Sequence, residues 1–124
     1  MNISNQIEAA LKNYLHGFDQ KDWTTLTNLL SDDFVYFTDK CIIQDKKAFL
    51  DFMCKDDWKS KGYEITDINV SPSQNGDMAL AAYKTRFWGM SGGQEMALQA
   101  TESTIFKKEG SDWKIIHSHT SNKF

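Results

Sequence analysis

Apolar residues in the first half of the chain recur at the three- and four-residue spacing of amphipathic helices. One such stripe covers residues 3–18 and predicts a long first helix. A shorter helix is expected after Asp22, and a third is expected after Asp45 and up to about Trp58, because aspartate is a favoured N-cap residue. Between these helices, the β-branched and aromatic segment 34–38 predicts a strand.

The second half of the chain changes to the alternating pattern of β-strands. Segment 63–70 alternates loosely, and three longer segments, 78–90, 95–108 and 113–121, are joined by short turns that contain glycine. Long strands with short connections predict an antiparallel meander. Helices followed by a meander indicate an α+β fold with helices on one face of a sheet, and residues 1–124 are expected to form a single domain.

Composition narrows the class of protein. Hydrophobic residues make up 40% and charged residues 25%, which is enough to form a core, and the 13% of aromatic residues favours a thick core or an aromatic-walled cavity. The net charge of −3 disfavours a nucleic-acid-binding protein. No segment resembles a signal peptide or a membrane span, and two cysteines, Cys41 and Cys54, are too few for a disulfide framework. A cytoplasmic protein without nucleic-acid or membrane partners is expected.

Two segments resemble a known family. The ending TESTIFKKEGSDWKIIHSHTS, residues 101–121, resembles the closing hairpin of the SnoaL-like branch of the nuclear transport factor 2-like superfamily, and residues 9–37 resemble that family's opening helices and first strand. The resemblance implies a cone-shaped barrel, in which a curved antiparallel sheet wraps around the N-terminal helix beside two further helices. It also implies a pocket and a homodimer joined through the outer sheet face. It implies no particular reaction, because this fold has many functions.

A second resemblance suggests which strand positions face the pocket. The C-terminal half is similar to the association domain of calcium/calmodulin-dependent protein kinase, whose pocket arginines align with Lys84, Thr104 and Thr120. The resemblance therefore implies that these three side chains point inward. Because side chains alternate along a strand, Glu102 is then expected on the same face as Thr104.

The same alternation places Arg86 and Trp88 on the face of Lys84. This arrangement predicts a pocket for a small polar or carboxylated ligand, with Lys84 or Arg86 facing Glu102 and with Tyr36 and Trp88 as apolar walls. The alternative is that one of the two cations simply forms a buried ion pair with Glu102. No cofactor is implied.

An enzymatic alternative comes from a resemblance of the first forty residues to ketosteroid isomerases. Tyr14 matches their oxyanion-hole tyrosine, and Glu102 aligns with their hydrogen-bond-donating carboxylic acid, which implies catalytic roles for both in a cofactor-independent isomerase, dehydratase or cyclase. The family's base aligns with Thr38, and the neighbouring Asp39 is expected to face the opposite side of the strand. Three functions therefore remain open: a ligand-binding module, such an enzyme, and a homo-oligomeric assembly domain.

His117 and His119 have the spacing of a two-imidazole metal chelate. The implied orientation places both on the outer face of the sheet, and no third ligand is evident in the sequence. Packing at a subunit interface is therefore expected in preference to a metal site.

Overall fold

The computed structural model describes residues 2–38, 40 and 42–123. Along this part of the chain, helices come first and long strands follow, as the sequence predicts. The elements are, in chain order, α1 (Ile3–Gln20), α2 (Trp23–Leu29), β1 (Leu30–Phe37), β2 (Ile43–Asp45), α3 (Lys46–Lys55), β3 (Lys59–Pro72), β4 (Met78–Ser91), β5 (Gln94–Glu109) and β6 (Asp112–Lys123).

The three helices of the described chain each begin at a side chain that caps the first turn. Asn2, Asp22 and Asp45 accept hydrogen bonds from backbone N–H groups three residues later, at 2.8, 3.1 and 2.9 Å. These bonds satisfy amides that have no partner inside a helix. The predicted starts after Asp22 and Asp45 are confirmed, whereas α3 is shorter than expected because the backbone becomes extended at Asp56.

The described strands form one sheet in the order β2-β1-β6-β5-β4-β3. The meander from β3 to β6 is antiparallel, as predicted. The sheet is not antiparallel throughout, however, because β1 runs parallel to β6. No hairpin connects these two strands, so no short turn dictates their relative direction. The α+β class and the curved sheet around α1 are confirmed, but the sheet remains open between β2 and β3 and does not close into a barrel.

A bulge in β6 decides which of its side chains point toward the helices. Phe106 pairs with Ile115, whereas the preceding residue of β5 pairs with His117, so Ile116 is the extra residue. An extra residue reverses the alternation of side chains from that point onward. Strict alternation would place Ile115 and His117 on one face; instead, Ile115 and Ser118 are both buried.

α1 lies against the concave face of the sheet and supplies much of the core. Its buried stripe consists of Ile7, Leu11, Tyr14 and Leu15, none more than 2% exposed. The sheet contributes to the same cluster the side chains of Ala79, Ala81, Tyr83, Phe106 and Ile115. Near the start of α1, Gln6 Oε1 accepts a hydrogen bond of 2.9 Å from Trp113 Nε1. None of the helices described here combines the length and the apolar character needed to cross a membrane.

Gly89 lies where β4 passes very close to β3. A Cβ atom on this residue would overlap the backbone carbonyl oxygen of Lys59, which cannot move away without disturbing the strand pairing. We expect Gly89→Ala to destabilise the protein by about 2 kcal/mol, within the range typical of overpacked interiors. Urea unfolding followed by circular dichroism measures this change.

Gly62→Ala is the matched control, because Gly62 lies on the neighbouring strand opposite Trp88. Its added Cβ atom would meet the indole ring of Trp88 at 2.5 Å. A side chain can rotate away more easily than a backbone carbonyl, so the loss of stability should be smaller for Gly62→Ala. A loss at Gly62 that equals or exceeds the loss at Gly89 would contradict this explanation.

Candidate functional site

A cavity of about 530 Å³ lies between the concave face of the sheet and the helices. It occupies the part of that face that α1 does not cover, next to α3 and β1. Its wall carries the aromatic rings of Tyr14, Phe18, Trp23, Tyr36, Phe49, Phe52, Trp58 and Phe87. Phe49 joins two parts of this wall, because its ring centroid lies 5.9 Å from that of Phe18 and 4.7 Å from that of Tyr36. Many of the abundant aromatic residues therefore enclose a space.

Hydroxyl groups and one carboxyl group gather at the buried end of this cavity and form what we call the polar cluster. Its members are Tyr14, Tyr83, Glu102, Thr104, Ser118 and Thr120. The Thr104 hydroxyl lies 2.9 Å from the Tyr83 hydroxyl and 3.2 Å from that of Ser118, and Ser118 also bonds the Tyr14 side chain. The polar cluster thus links α1 to three strands of the sheet.

Glu102 is the ionisable carboxyl of the polar cluster. Thr120 Oγ1 donates a hydrogen bond of 3.2 Å to Glu102 Oε2, and the Tyr83 hydroxyl also bonds the carboxyl group. Burial raises the pKa of Glu102, although these two hydrogen bonds act in the opposite direction. The side chain still keeps some exposed surface, because it opens onto the cavity. None of the ion pairs among the described residues includes Glu102.

The pKa values of the two buried tyrosines in the polar cluster are also shifted. Burial raises the pKa of Tyr14 and of Tyr83 well above the ordinary value, and the nearby Glu102 carboxylate raises both further. Both phenols are therefore neutral near pH 7 and can donate as well as accept a hydrogen bond. Chemically, this end of the cavity can hold one polar group of a ligand and can exchange a proton through Glu102.

The structure corrects the predicted orientation of β4. Tyr83 pairs with Glu102, and directly paired residues on neighbouring strands point to the same face. Lys84 therefore points to the outer face, where its Nζ lies 3.3 Å from Asp67 Oδ2. The expected contact between Lys84 and Glu102 is wrong, because an offset of one residue along a strand exchanges its two faces.

Arg86 and Trp88 follow Lys84 to the outer face. The Arg86 guanidinium lies 5.1 Å from the centre of the Trp88 ring, a cation–π distance. Neither side chain lines the cavity, so the expected cationic anchor and the expected Trp88 wall are wrong.

The other predicted site residues lie on the inner face of the sheet or, for Tyr14, on the side of α1 that packs against it. Tyr14, Tyr36, Glu102 and Thr120 line the cavity directly. Thr104 is fully buried behind them and bonds the Tyr83 hydroxyl. The structure therefore brings these five predicted residues to one region, and their roles in binding or catalysis stay predictions.

Both histidines of the predicted pair lie on the outer face of β6, as expected. The His117 ring centroid lies 5.2 Å from that of Phe37, and burial, followed by the proximity of His119, lowers the pKa of His117. Within the described ranges, no group of three His, Cys, Asp or Glu side chains could hold a metal ion. Asp39 and Cys41 lie outside the described residues.

Charged and exposed apolar side chains surround the opening of the cavity. Lys21 and Asp56 belong to its lining, and Lys21 Nζ donates a hydrogen bond of 3.1 Å to the Asp56 carbonyl oxygen. Asp57 accepts a hydrogen bond of 3.0 Å from the Gly92 N–H, which ties the segment after α3 to the β4–β5 turn. Four apolar side chains of the lining remain at least one-third exposed, namely Ile42, Phe52, Met96 and Leu98.

Comparison with known proteins assigns the chain to a family. The model of the SnoaL-like domain family matches residues 7–124, which is nearly the whole chain. The chain belongs to the SnoaL-like domain family. No curated protein sequence matches this SnoaL-like domain.

Solved structures share the fold of this SnoaL-like domain at low sequence identity. A nuclear transport factor 2-like protein from Cytophaga hutchinsonii matches with a TM-score of 0.88 and 15% identity, over 99% of this chain and 100% of that chain. The association domain of C. elegans calcium/calmodulin-dependent protein kinase II matches with a TM-score of 0.81 and 21% identity, over 94% and 93%. Hexachlorocyclohexane dehydrochlorinase LinA-type3 from Novosphingobium barchaimii matches with a TM-score of 0.81 and 14% identity, over 97% and 86%.

The residues on the inner face of β4 in this SnoaL-like domain were not predicted from the sequence. Thr85 and Phe87 line the cavity and Tyr83 belongs to the polar cluster. The sequence holds a signal for this orientation, because the alternate positions carry the charged residues Lys84 and Arg86, which favour solvent. The resemblance to the association domain outweighed that signal.

Replacement of Glu102 tests the electrostatics of the polar cluster. A carboxyl whose pKa is higher in the folded chain than in the unfolded chain makes the protein less stable as the pH rises through those two values. Glutamine does not titrate. Relative to the wild type, Glu102→Gln should therefore become progressively more stable as the pH rises above the ordinary glutamate pKa of 4.5. Thermal unfolding from pH 4 to pH 8 measures the trend.

Glu95→Gln is the control for this experiment, because Glu95 lies on the same strand but is exposed. Lys61 Nζ, 2.9 Å from Glu95 Oε1, lowers the pKa of that carboxyl. Its contribution is present above the unfolded-state pKa and is lost as the pH falls, so Glu95→Gln should show the opposite trend. Parallel trends for the two variants would contradict a raised pKa of Glu102.

Proposed function

We propose that this SnoaL-like domain binds a small, largely apolar molecule that carries one polar group. The observation that supports this proposal is the division of the cavity into an aromatic wall around Phe49 and a polar cluster around Glu102. An aromatic wall favours a planar or hydrophobic body, and a few convergent polar groups fix its orientation. The volume of about 530 Å³ also falls within the usual range of small-molecule sites.

The proposed ligand differs from the carboxylated molecule that the sequence suggested. That suggestion depended on Lys84 and Arg86, which point away from the cavity. Of the cationic side chains that line the cavity in the described chain, Lys40 is exposed and Lys21 bonds the carbonyl oxygen of Asp56 at the opening. The buried end presents hydroxyls and a carboxyl, and an anionic group there would be repelled by ionised Glu102.

The enzymatic alternative requires a base that faces the acid across the cavity. Among the described residues of the lining, the carboxylates are Glu102 and Asp56, and no histidine lines the cavity. Asp56 is exposed at the opening, and the position aligned with the family's base is Thr38. Binding without a chemical step is therefore the function that these residues support best.

Filling the cavity tests the binding proposal. Ala100 lines the cavity from β5, so phenylalanine at this position occupies part of the proposed site. We expect the wild type to bind the fluorescent probe naphthalen-2-ol, and we expect Ala100→Phe to weaken that binding by about tenfold, equivalent to 1.4 kcal/mol. Fluorescence titration and calorimetry measure the affinities.

Ala97→Phe is the matched control, because Ala97 is exposed on the opposite face of the same strand. It adds the same side chain outside the cavity and should leave the affinity for naphthalen-2-ol unchanged. A wild-type protein that does not bind the probe, or equal losses in the two variants, would argue against a ligand site in this cavity.

We further propose that the outer sheet face joins two copies of the chain. The pairing register places Val35, His117, Ile105 and Leu80 side by side across four strands, and Leu80 is 41% exposed. This row is apolar apart from one histidine, which suits a self-complementary interface.

Sedimentation of a charged variant tests the dimer and separates it from the assembly alternative. The wild type should sediment as a dimer, and Leu80→Glu should produce monomers because it places a charge within the apolar row. Phe52→Glu, which alters an exposed residue of α3, should leave the dimer intact. A monomeric wild type would contradict the dimer, and larger rings would instead support an assembly domain.

A further inference from the structure

We propose that the cavity selects ligands whose polar group is an ammonium or a similar nitrogen-centred cation, and that this group binds the Glu102 carboxylate. The inference rests on the proposed binding function and specifies the chemistry of the ligand. It follows from the charge balance, the hydrogen-bonding capacity and the aromatic surroundings of Glu102.

The charge balance of the cavity leaves Glu102 without a counterion from the described chain. Lys84, the cation expected to face it, instead lies 3.3 Å from Asp67 on the outer face. The hydrogen-bond partners of Glu102 are the neutral hydroxyls of Thr120 and Tyr83. A buried carboxylate without a cation is costly, and a positively charged ligand removes that cost.

Glu102 also has capacity for another donor. An ionised carboxylate offers about four lone-pair directions, whereas the described contacts from Thr120 and Tyr83 use two. Because Glu102 keeps exposed surface toward the cavity, an incoming N–H group can reach the remaining directions. An ammonium supplies such donors together with the compensating charge.

The wall of the cavity favours the same ligand class. Trp23, Tyr36 and Phe49 line the space onto which Glu102 opens. Aromatic faces attract cations, and the attraction is stronger where water is excluded. They also accommodate the hydrocarbon part of an amine, so one cavity can bind both ends of an apolar amine.

Three matched naphthalene probes test the charge preference. They are naphthalen-2-ylmethanamine, naphthalen-2-ylmethanol and 2-naphthoate, which share a ring system and are cationic, neutral and anionic near pH 7. For the wild type we expect the amine to bind at least about tenfold more tightly than the alcohol, as one charge-assisted hydrogen bond allows, with naphthoate weakest. Calorimetry at pH 7 gives the three affinities.

Two variants connect the preference to the carboxylate. Glu102→Gln keeps a similar shape but loses the charge, so the amine should lose about tenfold in affinity and the difference between amine and alcohol should disappear. Glu95→Gln removes an exposed carboxyl from the same strand and should preserve the preference. If Glu102→Gln does not fold, the order of the three affinities in the wild type still tests the preference for a cation.

The outcomes separate this inference from the binding function on which it rests. If the alcohol equals the amine in the wild type, or Glu102→Gln keeps the full preference, the cation inference is overturned while cavity binding that is sensitive to Ala100→Phe stands. If naphthoate binds most tightly, the lysines at the opening control recognition and the inference is also overturned. If no naphthalene probe binds, both proposals fail together.

Discussion

The packing of α1 against the concave face of the sheet is the interaction on which the other features of this SnoaL-like domain depend. Ile7 and Leu11 are fully buried in the core cluster that α1 forms with the sheet. Tyr14 lies where the coverage stops: its ring meets that of Phe18 at 4.9 Å, while its hydroxyl bonds Ser118. The same face of α1 therefore packs into the core and also lines the cavity. The stabilisation that comes from burying apolar surface is roughly proportional to the buried area. The part of the sheet that α1 does not cover is therefore stabilised less and remains open to a ligand.

Because of the bulge at Ile116, β6 contributes side chains to both the core and the polar cluster. Before it, Ile115 packs into the core beside Phe106; after it, Ser118 joins the polar cluster. Without the extra residue, inward-facing Ile115 would be followed on the same face by His117, and the chain of hydroxyls between Tyr14 and Tyr83 would be broken. A local irregularity of the backbone thus sets the composition of both faces, which is a common role of bulges beside functional sites.

Apart from the short strand β2, which was not predicted, the order and type of the elements were predictable because their signals are local. Asp22 and Asp45 cap helices through bonds to residues only three positions away, and such short-range chemistry can be recognised in the sequence. The inward-facing side chains of β4 were harder to predict. Lys84 was misplaced because alternation defines two faces without saying which is buried, and the bulge at Ile116 becomes evident only in the pairing of β6 with β5. The parallel contact of β1 with β6 was not predicted because it joins two strands that lie far apart in the sequence.

Glu102 is the residue whose preference for water conflicts most with its position in the fold. An apolar side chain in its place would pack among aromatic rings without the desolvation that raises the pKa of the carboxyl. The surroundings are nevertheless complete, since every buried side-chain polar atom in the described part of the chain has a hydrogen-bond partner. Thr104 and Thr120 belong to that network, so Glu102 is held in place before any ligand arrives. A satisfied polar network that opens onto an apolar cavity has the properties of a preorganised recognition site, and natural proteins retain such local conflicts mainly where function requires them.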